Sequence, residues 1–449
     1  MAVLGGGITG LTAAWQLHRA GFPVVVFEAA ARAGGVIGAE RDQGWLHEGG
    51  PNSILEGSVE VTALIEAAGL GARRVYAAAA AKKRFVVKGG RLVPMPDSPL
   101  SFLQTRLFSW RAKLGVLAEP FRRRRNQPTE ESVAAFVRRR LGPEFLDYAI
   151  DPFVAGVYAG DPRELSLPQA FPKLHALERD YGSLLRGAIK RRNPGAAPRG
   201  RILTFPNGLE ELPAALAASL AESVRLQSPV RELVRTEAGW RVGWERDGVR
   251  ADQDFAAVIS ALPPDALAGL PIRGVEAASG LGVLRDIVQP PVVSVFTGFR
   301  REDVAHPLDG FGFLVPRVEN RRILGCLFSS TLFSGRAPAG HVALTTFVGG
   351  TRLPELALMD NSSLLEIVLP ELHELLGIRG RPVFTHLRRW SRAIPQYNLG
   401  YQRFKDACAA AESSAPGLFI GGNVRDGISL SACVESGRRL AAAVSAFLK

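Results

Sequence analysis

Three glycines near the start of the chain, Gly5, Gly7 and Gly10, have the spacing G-x-G-x-x-G, which suits a backbone loop around a phosphate. Glycine at these positions allows a tight turn, a close approach of the backbone to a pyrophosphate, and close packing of a helix on a strand. Glu28 follows 18 residues after Gly10, where its carboxylate can accept hydrogen bonds from ribose hydroxyls. Together these residues predict a dinucleotide site.

The elements that position these residues are predicted to form a strand–helix–strand unit. Residues 2–4 are an apolar run typical of a buried strand, a helical pattern extends to Ala20, and residues 24–27 predict a second strand that ends at Glu28. The N-terminus of the helix would offer free N–H groups and a partial positive charge to the phosphates. A lone glycine pattern is a weak signal. The two strands, the helix and Glu28 at the expected spacing make the prediction of a dinucleotide site specific.

The residues after Glu28 favour a flavin over a nicotinamide. Residues 29–35 resemble the E-x₃-R-x-G-G extension of flavoprotein oxidases, in which Arg32, Gly34 and Gly35 would cradle phosphates and approach the flavin. An NAD-dependent dehydrogenase would not need this extension. The alternative is an ordinary arginine followed by a glycine turn.

The far end of the chain supplies the second half of the predicted FAD site. Residues 416–423 predict a buried strand that runs into a glycine turn with Gly422 and Asn423, and residues 426–431, with Ile428 and Ser429, open a helix. The N-terminus of that helix would stabilise negative charge on a reduced flavin. In the middle of the chain, Val230 and Ser260 lie in segments that resemble the strand edges beside the adenine in flavoproteins with two dinucleotide-binding folds.

The predicted fold class is α/β, with a discontinuous two-dinucleotide-binding (Rossmann-like) FAD domain, a mixed α+β substrate domain and a small helical membrane-associating domain. We assign residues 1–75, 191–265 and 407–449 to the FAD domain, residues 76–95, 158–190 and 266–406 to the substrate domain, and residues 96–157 to the helical domain. Four β-rich runs between residues 285 and 350 predict a largely antiparallel sheet as the floor of the substrate domain.

Composition narrows the function classes. With 449 residues, 47% of them hydrophobic, the chain is globular, and its three distant cysteines match no ligand spacing, so we predict neither a disulfide framework nor a metal site. The net charge of +12 is concentrated, because residues 102–140 hold ten Lys and Arg against three Glu. No nucleic-acid-binding motif accompanies this excess, which instead suits anionic lipid headgroups or an acidic substrate.

The basic region also carries an apolar stripe, which predicts one amphipathic helix. The stripe recurs at spacings of four and three residues and consists of Leu103, Leu107, Trp110, Leu114, Leu117 and Phe121, with Arg106, Arg111 and Lys113 beside it and residues 122–125 after it. Two interpretations stay open: the helix packs on its own domain, or it lies in a membrane surface with its arginines on the lipid headgroups. No apolar run approaches the ~18–20 residues that span a bilayer. We therefore expect the chain at the cytoplasmic face of the cell membrane, or in the cytoplasm.

Segments along nearly the whole chain resemble the flavin-dependent protoporphyrinogen oxidases of haem and chlorophyll synthesis. The matching segments are residues 49–53, 151–162, 309–316, 327–330, 336–338, 346–350 and 421–423. The resemblance implies that Gly50, Pro51 and Asn52 lie at the FAD and that Trp390, in an aromatic–proline segment, lies near it.

The resemblance also implies a set of substrate-binding residues. A flat tetrapyrrole would lie between Leu314 and Leu327, stack on Phe347, pair a propionate with Arg84 and meet the backbone of Gly156. Apolar and aromatic faces suit such a ring, and a guanidinium suits a carboxylate. From the residues alone, core packing is the alternative for the three apolar side chains, and a solvated basic turn is the alternative for Arg84.

The implied activity is the six-electron, oxygen-dependent oxidation of protoporphyrinogen IX to protoporphyrin IX with release of hydrogen peroxide. Because flavin N5 would accept each hydride, no catalytic His or carboxylate is predicted. The implied partners are protoporphyrinogen IX, molecular oxygen, a membrane surface, a second copy in a homodimer, and inhibitors of the diphenyl-ether type, with no nucleic acid. Three alternatives stay open: oxidation of coproporphyrinogen III to coproporphyrin III, another FAD amine oxidase or desaturase, and a flavin- or porphyrin-binding module without turnover.

Overall fold

The structure is a computed structural model that describes residues 1–122, 124, 130–190 and 200–449. The strands in these ranges are Ala2–Leu4 (β1), Val25–Phe27 (β2), Ala39–Asp42 (β3), Trp45–Glu48 (β4), Ile54–Glu56 (β5), Val75–Tyr76 (β6), Lys83–Lys88 (β7), Arg91–Pro94 (β8), Arg201–Thr204 (β9), Val224–Arg225 (β10), Val230–Thr236 (β11), Gly239–Arg246 (β12), Val249–Phe255 (β13), Val258–Ser260 (β14), Ile272–Arg273 (β15), Val292–Arg300 (β16), Gly310–Leu314 (β17), Gly325–Leu327 (β18), His341–Gly349 (β19), Phe384–Trp390 (β20) and Leu418–Ile420 (β21).

The helices in the same ranges are Ile8–Arg19 (α1), Val59–Ala67 (α2), Pro99–Gln104 (α3), Trp110–Leu117 (α4), Val133–Arg140 (α5), Pro143–Phe145 (α6), Asp151–Tyr158 (α7), Leu167–Ala170 (α8), Pro172–Tyr181 (α9), Leu184–Lys190 (α10), Glu211–Leu220 (α11), Pro264–Gly269 (α12), Ser329–Leu332 (α13), Asn361–Leu376 (α14), Gln402–Ser414 (α15) and Leu430–Phe447 (α16). A π-helical stretch, Leu146–Ile150, joins α6 to α7.

A five-stranded parallel sheet brings the two ends of the chain together. Its order is β10-β2-β1-β14-β21, and Val258 of β14 lies between Ala2 of β1 and Leu418 of β21. Every residue of β1 and β14 is buried, as expected for parallel strands covered on both faces. The beginning, middle and end of the chain therefore build one dinucleotide-binding fold, as predicted. The exact domain boundaries stay a prediction.

A seven-stranded sheet forms the floor of the second part of the molecule, in the order β20-β16-β19-β18-β17-β7-β8. Neighbouring strands are antiparallel except for β7 and β17, which are parallel, so the prediction of a largely antiparallel sheet is confirmed. One face of this sheet packs on α14 and buries an apolar core that includes Val293, Phe313 and Phe328. Successive side chains along a strand point to opposite faces of the sheet, so the face away from α14 carries a second set of side chains that can contact a ligand.

The helical region differs from its prediction at one point. The apolar stripe is divided between two helices, α3 and α4, because Thr105 and Ser109 adopt extended conformations at the end of the first helix and the start of the second. Between them Leu107 turns inward and is fully buried, whereas Trp110 is 66% exposed. Residues 123 and 125, part of the predicted basic run, lie outside the described residues. Among the described helices, none has the length and apolar character needed to cross a membrane.

Candidate functional site

The glycine loop between β1 and α1 has the geometry of a phosphate-binding turn. Gly5 has a positive φ of 97°, and a Cβ on Gly10 would overlap the carbonyl oxygen of Gly5, so both positions require glycine. Gly7 precedes α1, and no atom lies within 4 Å of where its Cβ would be. The first N–H groups of an α-helix have no acceptor within the helix, and the open space beside Gly7 leaves room for an anion at the start of α1.

Glu28 lies at the carboxyl end of β2, next to this loop. Its Oε2 accepts a hydrogen bond from the backbone N–H of Gly6 at 2.7 Å, and its Oε1 accepts one from Ala30 at 2.8 Å. The carboxylate is thus held in one orientation and keeps lone pairs for ribose hydroxyls. The N–H of Ser228 bonds the carbonyl of Glu28 at 2.8 Å, which brings the start of β11, at Val230, to the same end of the sheet.

Ser260 is the last residue of β14, and its Oγ is buried with no hydrogen-bond partner among the described residues. A buried hydroxyl without a partner costs free energy unless a ligand bonds it. Together with the open space at Gly7, this hydroxyl fits a bound dinucleotide.

Arg32 stabilises the next loop. Its guanidinium donates to the carbonyls of Ala33, Gly35 and Ile37, and the N–H of Gly34 bonds the carbonyl of Gly6. Gly34 and Gly35 both have positive φ. Arg32 therefore shapes the glycine pair, while its predicted contact with a phosphate stays a prediction.

The loop between β21 and α16 lies against α1. Gly422 has a φ of +90°, and its nearest neighbours on the side of the missing Cβ are atoms of Thr9. Ser429 is the N-cap of α16, as expected for the start of that helix, with Ile428 just before it. The two glycine loops at the ends of the chain thus meet at one place.

Tyr397 lies in the aromatic–proline segment that the family resemblance places near the flavin, but the sequence alone assigns it no role. Its buried hydroxyl donates to the carbonyl of Asn423 at 2.8 Å and accepts from the N–H of Gly427 at 2.8 Å, so it fixes the loop before α16. Burial raises the pKa of Tyr397, which keeps the phenol protonated. The resemblance therefore indicated the segment, whereas the two hydrogen bonds of the hydroxyl had no signal in the sequence.

A third loop connects this site to the seven-stranded sheet. A Cβ on Gly50 would overlap the carbonyl oxygen of Val36, and the side chain of Asn52 donates to the carbonyl of Gly50 at 3.1 Å, with Pro51 between them. Trp390, at the end of β20, donates its indole N–H to the carbonyl of Gly49 at 2.8 Å. Trp390 therefore lies at the junction between the two parts of the molecule.

The residues predicted to bind substrate share the face of the seven-stranded sheet that lies opposite the α14 core. Phe347 pairs with Gly325, which also pairs with Leu314, and Leu327 pairs with Gly312 beside Arg84. Directly paired strand residues, and residues two apart along a strand, point to the same side. We call this side the slot face, defined by Arg84, Leu314, Leu327 and Phe347.

Helix α7 covers part of the slot face. A Cβ on Gly156 would overlap the side chain of Leu314, so the helix and β17 are in close contact there. Phe153 and Val157 lie on the same side of α7 as Gly156 and are 41% and 44% exposed. Reasoning from sequence missed these two residues, although their spacing around the glycine was visible. Apolar side chains of α7 and of the slot face therefore border the same region.

Arg84 is exposed at one end of the slot face. Its guanidinium lies 5.5 Å from the centre of the Phe311 ring, and no carboxylate among the described residues pairs with it. The neighbouring Lys83, in contrast, forms an ion pair with Asp309. Arg84 is therefore free to bind the carboxylate of a ligand.

A buried ion pair stabilises the strand that leads into the Gly49 loop. The guanidinium of Arg336 donates to Glu48 at 2.7 Å, and the carboxylate also accepts from the N–H of Leu209 at 3.1 Å. Burial raises the pKa of Glu48, and Arg336 opposes that effect. This pair, 288 residues apart in sequence, has no local signal.

Glu40, His47 and His386 bring ligand atoms within 4.8 Å of one another. The two imidazole rings stack with centroids 3.9 Å apart and planes 23° apart. Lone pairs in nearly parallel planes do not converge on one ion. Burial and His386 lower the pKa of His47 to about 4, so the ring is neutral at physiological pH.

The parallel sheet, the two glycine loops and the anchored acid define an FAD-dependent oxidoreductase. The sequence profile of the flavin containing amine oxidoreductases matches residues 8–445. The chain belongs to this family, and its cofactor is FAD.

Individual relatives cover the whole chain. The mitochondrial protoporphyrinogen oxidase of Nicotiana tabacum is 34% identical over 480 residues, which are 100% of this chain and 95% of that protein. The coproporphyrinogen III oxidase of Bacillus subtilis (strain 168) is 28% identical over 98% of this chain and 96% of that protein. A crystal structure from Exiguobacterium sp. 255-15, provisionally assigned as a protoporphyrinogen oxidase, is 26% identical with a TM-score of 0.81, covering 99% of this chain and 98% of that one.

Proposed function

We propose that this chain oxidises protoporphyrinogen IX to protoporphyrin IX, with molecular oxygen as the final electron acceptor. The substrate loses six electrons and six protons in three two-electron steps, and three O₂ molecules become three H₂O₂. Bound FAD supplies the two-electron acceptor in each step. The observation that supports this proposal most directly is the gathering of Arg84, Leu314, Leu327 and Phe347 on one sheet face, opposite Gly156 of α7.

The residues of the chain bind and orient the substrate. Leu314, Leu327 and Phe347 offer apolar contacts to the flat ring, and Arg84 holds a propionate at one end. This orientation keeps a methylene bridge beside the cofactor. No side chain is needed as a base, because the pyrrole proton can leave to solvent.

The distribution of charge favours two propionates over four. Apart from Arg84, the slot residues named above are apolar, with Phe153 and Val157 on the helical side. Coproporphyrinogen III carries four propionates, so some of its carboxylates would meet these apolar walls, and desolvating an unpaired carboxylate is unfavourable. The greater identity to the tobacco enzyme, 34% against 28%, points in the same direction.

The test is aerobic turnover of both porphyrinogens at equal concentrations, followed by porphyrin fluorescence and peroxide release. We expect a higher kcat/KM for protoporphyrinogen IX and about three peroxides per porphyrin formed. A higher kcat/KM for coproporphyrinogen III would replace the proposed substrate. Absence of turnover with either, with FAD bound, would exclude porphyrinogen oxidation.

We also propose that α3 and α4 bind a membrane surface. Six large apolar side chains are exposed within residues 100–121: Leu100, Leu103, Trp110, Leu114, Leu117 and Phe121, the last being 84% exposed. Arg106 and Arg111 are exposed beside them and would meet anionic headgroups. Lys113 is buried and donates to the carbonyls of Leu103 and Thr105, which fixes the angle between the two helices.

Co-sedimentation with vesicles of phosphatidylglycerol and phosphatidylcholine tests this second proposal. Trp110→Ser combined with Leu114→Ser should reduce binding strongly, because each change removes exposed apolar area from the surface. Val249→Ser is the control, since Val249 is also exposed but lies on strand β13, outside α3 and α4. Equal sedimentation of all three proteins would contradict the proposal.

A further inference from the structure

Helix α7 is held at both of its ends by two consecutive residues that follow β19. At the first turn, the carboxylate of Asp151 accepts a hydrogen bond from Nη2 of Arg352 at 3.0 Å. Just after the last turn, the carbonyl of Ala159 accepts a bond from the N–H of Thr351 at 2.8 Å. The eight residues of α7 are therefore fixed to the strand that carries Phe347.

The same guanidinium also holds β17. Nη1 of Arg352 donates to the carbonyl of Val315 at 2.7 Å, and Val315 directly follows Leu314. The carboxylate of Asp151 accepts a second bond from the N–H of Arg317 at 2.7 Å. One side chain thus connects the helix that carries Gly156 to the strand that carries Leu314, near the point where these two residues are in contact.

A buried ion pair is not an efficient way to stabilise a fold. The side chains of Arg352 and Asp151 are only 7% and 11% exposed, and burial lowers the pKa of Arg352. Apolar residues of similar volume often give equal or greater stability in such places. Directed hydrogen bonds, however, fix the distance between two elements in a way that apolar contacts do not.

We infer that Arg352 is a positioning residue that holds α7 against β17 at the contact between Gly156 and Leu314, and so sets the position of the α7 side of the proposed substrate site. The inference depends on the proposed function only for the identity of the ligand. If it is correct, loss of the Arg352 bridge allows α7 to move away from β17, and a larger side chain can then fit at position 156.

A double-mutant cycle tests this, with Gly156→Ala, Arg352→Met and the double variant as FAD-bound holoenzymes. Gly156→Ala alone should lower the unfolding midpoint and raise KM for protoporphyrinogen, because its methyl group overlaps Leu314. Arg352→Met alone should raise KM with little change in kcat. In the double variant, the combined loss in midpoint and in kcat/KM should be smaller than the sum of the two single losses, since neighbouring sites couple.

Arg321→Met is the matched control. Arg321 is also a largely buried arginine, and it pairs with Glu371 at 2.7 Å on α14, away from α7. Its effect should add to that of Gly156→Ala without coupling. Additive behaviour of Arg352→Met as well would overturn the inference.

Two further outcomes are covered by the same design. If Arg352→Met does not fold, Arg352→Lys replaces it in the cycle. A single ammonium cannot reproduce the planar guanidinium that bonds both Asp151 and the carbonyl of Val315. We expect the same sign of coupling energy with Gly156→Ala, but a smaller value. If the parent holds FAD but oxidises no porphyrinogen, the proposed function fails, while coupling in the unfolding midpoint still decides whether Arg352 holds α7 against β17.

Discussion

Replacing Arg84 with alanine tests the orientation of the substrate in the slot. Arg84 is exposed and free of any described carboxylate partner, so its removal leaves no buried charge behind. Its strand position opposite Gly312 places it beside Leu327, which pairs with the same glycine. The variant should therefore fold and bind FAD as the parent does.

The expected loss follows from one charge-assisted hydrogen bond. Bonds to charged groups contribute about 1.5–3 kcal/mol, and each 1.4 kcal/mol is a tenfold change in affinity. Because Arg84 is exposed to solvent and salt, we expect the lower end of that range, about a tenfold rise in KM for protoporphyrinogen IX. The KM of Arg84→Lys should lie between the values of the parent and of Arg84→Ala, since an ammonium retains the charge but not the bidentate geometry of the guanidinium.

The assay is steady-state porphyrin fluorescence across substrate concentration, with FAD content measured for each variant. Lys83→Ala is the matched control, because Lys83 is the adjacent exposed cation but already pairs with Asp309. It should change KM much less than Arg84→Ala. An unchanged KM in Arg84→Ala, an equal effect of Lys83→Ala, or loss of FAD would each refute the assigned role.

Four further substitutions test other parts of the structure. Gly7→Ala should fold, since its Cβ meets no protein atom, but it should bind FAD more weakly in an equilibrium titration. Gly10→Ala should instead destabilise the fold, because its Cβ overlaps the carbonyl oxygen of Gly5. Arg336→Met leaves Glu48 buried without its partner and should lower the free energy of unfolding in urea by about 3–5 kcal/mol. The pKa of His47 is lowered from 6.5 to about 4, so protonation favours the unfolded chain, and His47→Phe should lose less stability than the parent as pH falls through that window. Three results would contradict these expectations. These results are an FAD affinity of Gly7→Ala equal to that of the parent, an unchanged urea midpoint in Arg336→Met, and a pH profile of stability in His47→Phe identical to that of the parent.

The nucleotide-binding half could be predicted because its signals are local. The glycine spacing, the strand before it and the acid after it lie within the first 28 residues, and each has a direct backbone reason in the structure. The same holds for the helix that begins after Ser429. These features depend on turns and caps, which the sequence encodes over a few residues.

The slot could be predicted only through the resemblance to a family. Leu314, Leu327 and Phe347 have the same local pattern as core strand residues, and only strand pairing shows that they share one face. The two sides of a strand cannot be told apart without knowing what covers each. The bridge from Arg352 to Asp151 connects residues 201 apart in sequence and has no local pattern at all.

The amphipathic stripe was interpreted as one helix because its period continues across the break. In the structure, Leu107 and Phe108 pack inward with Ala149, and the hydroxyl of Ser109 caps the start of a new helix. Tertiary packing of two residues therefore overrides the period of the pattern. Trp110 and its neighbours are exposed in the structure, whereas the sequence pattern left open whether they pack on their own domain or face outward.

The most direct test of the central claim is an anaerobic titration of the FAD-bound protein with protoporphyrinogen IX, following flavin absorbance and porphyrin fluorescence together. The account predicts that the yellow colour disappears as porphyrin forms, with three flavins reduced for each protoporphyrin IX released. A flavin that stays oxidised in the presence of excess protoporphyrinogen IX would contradict it.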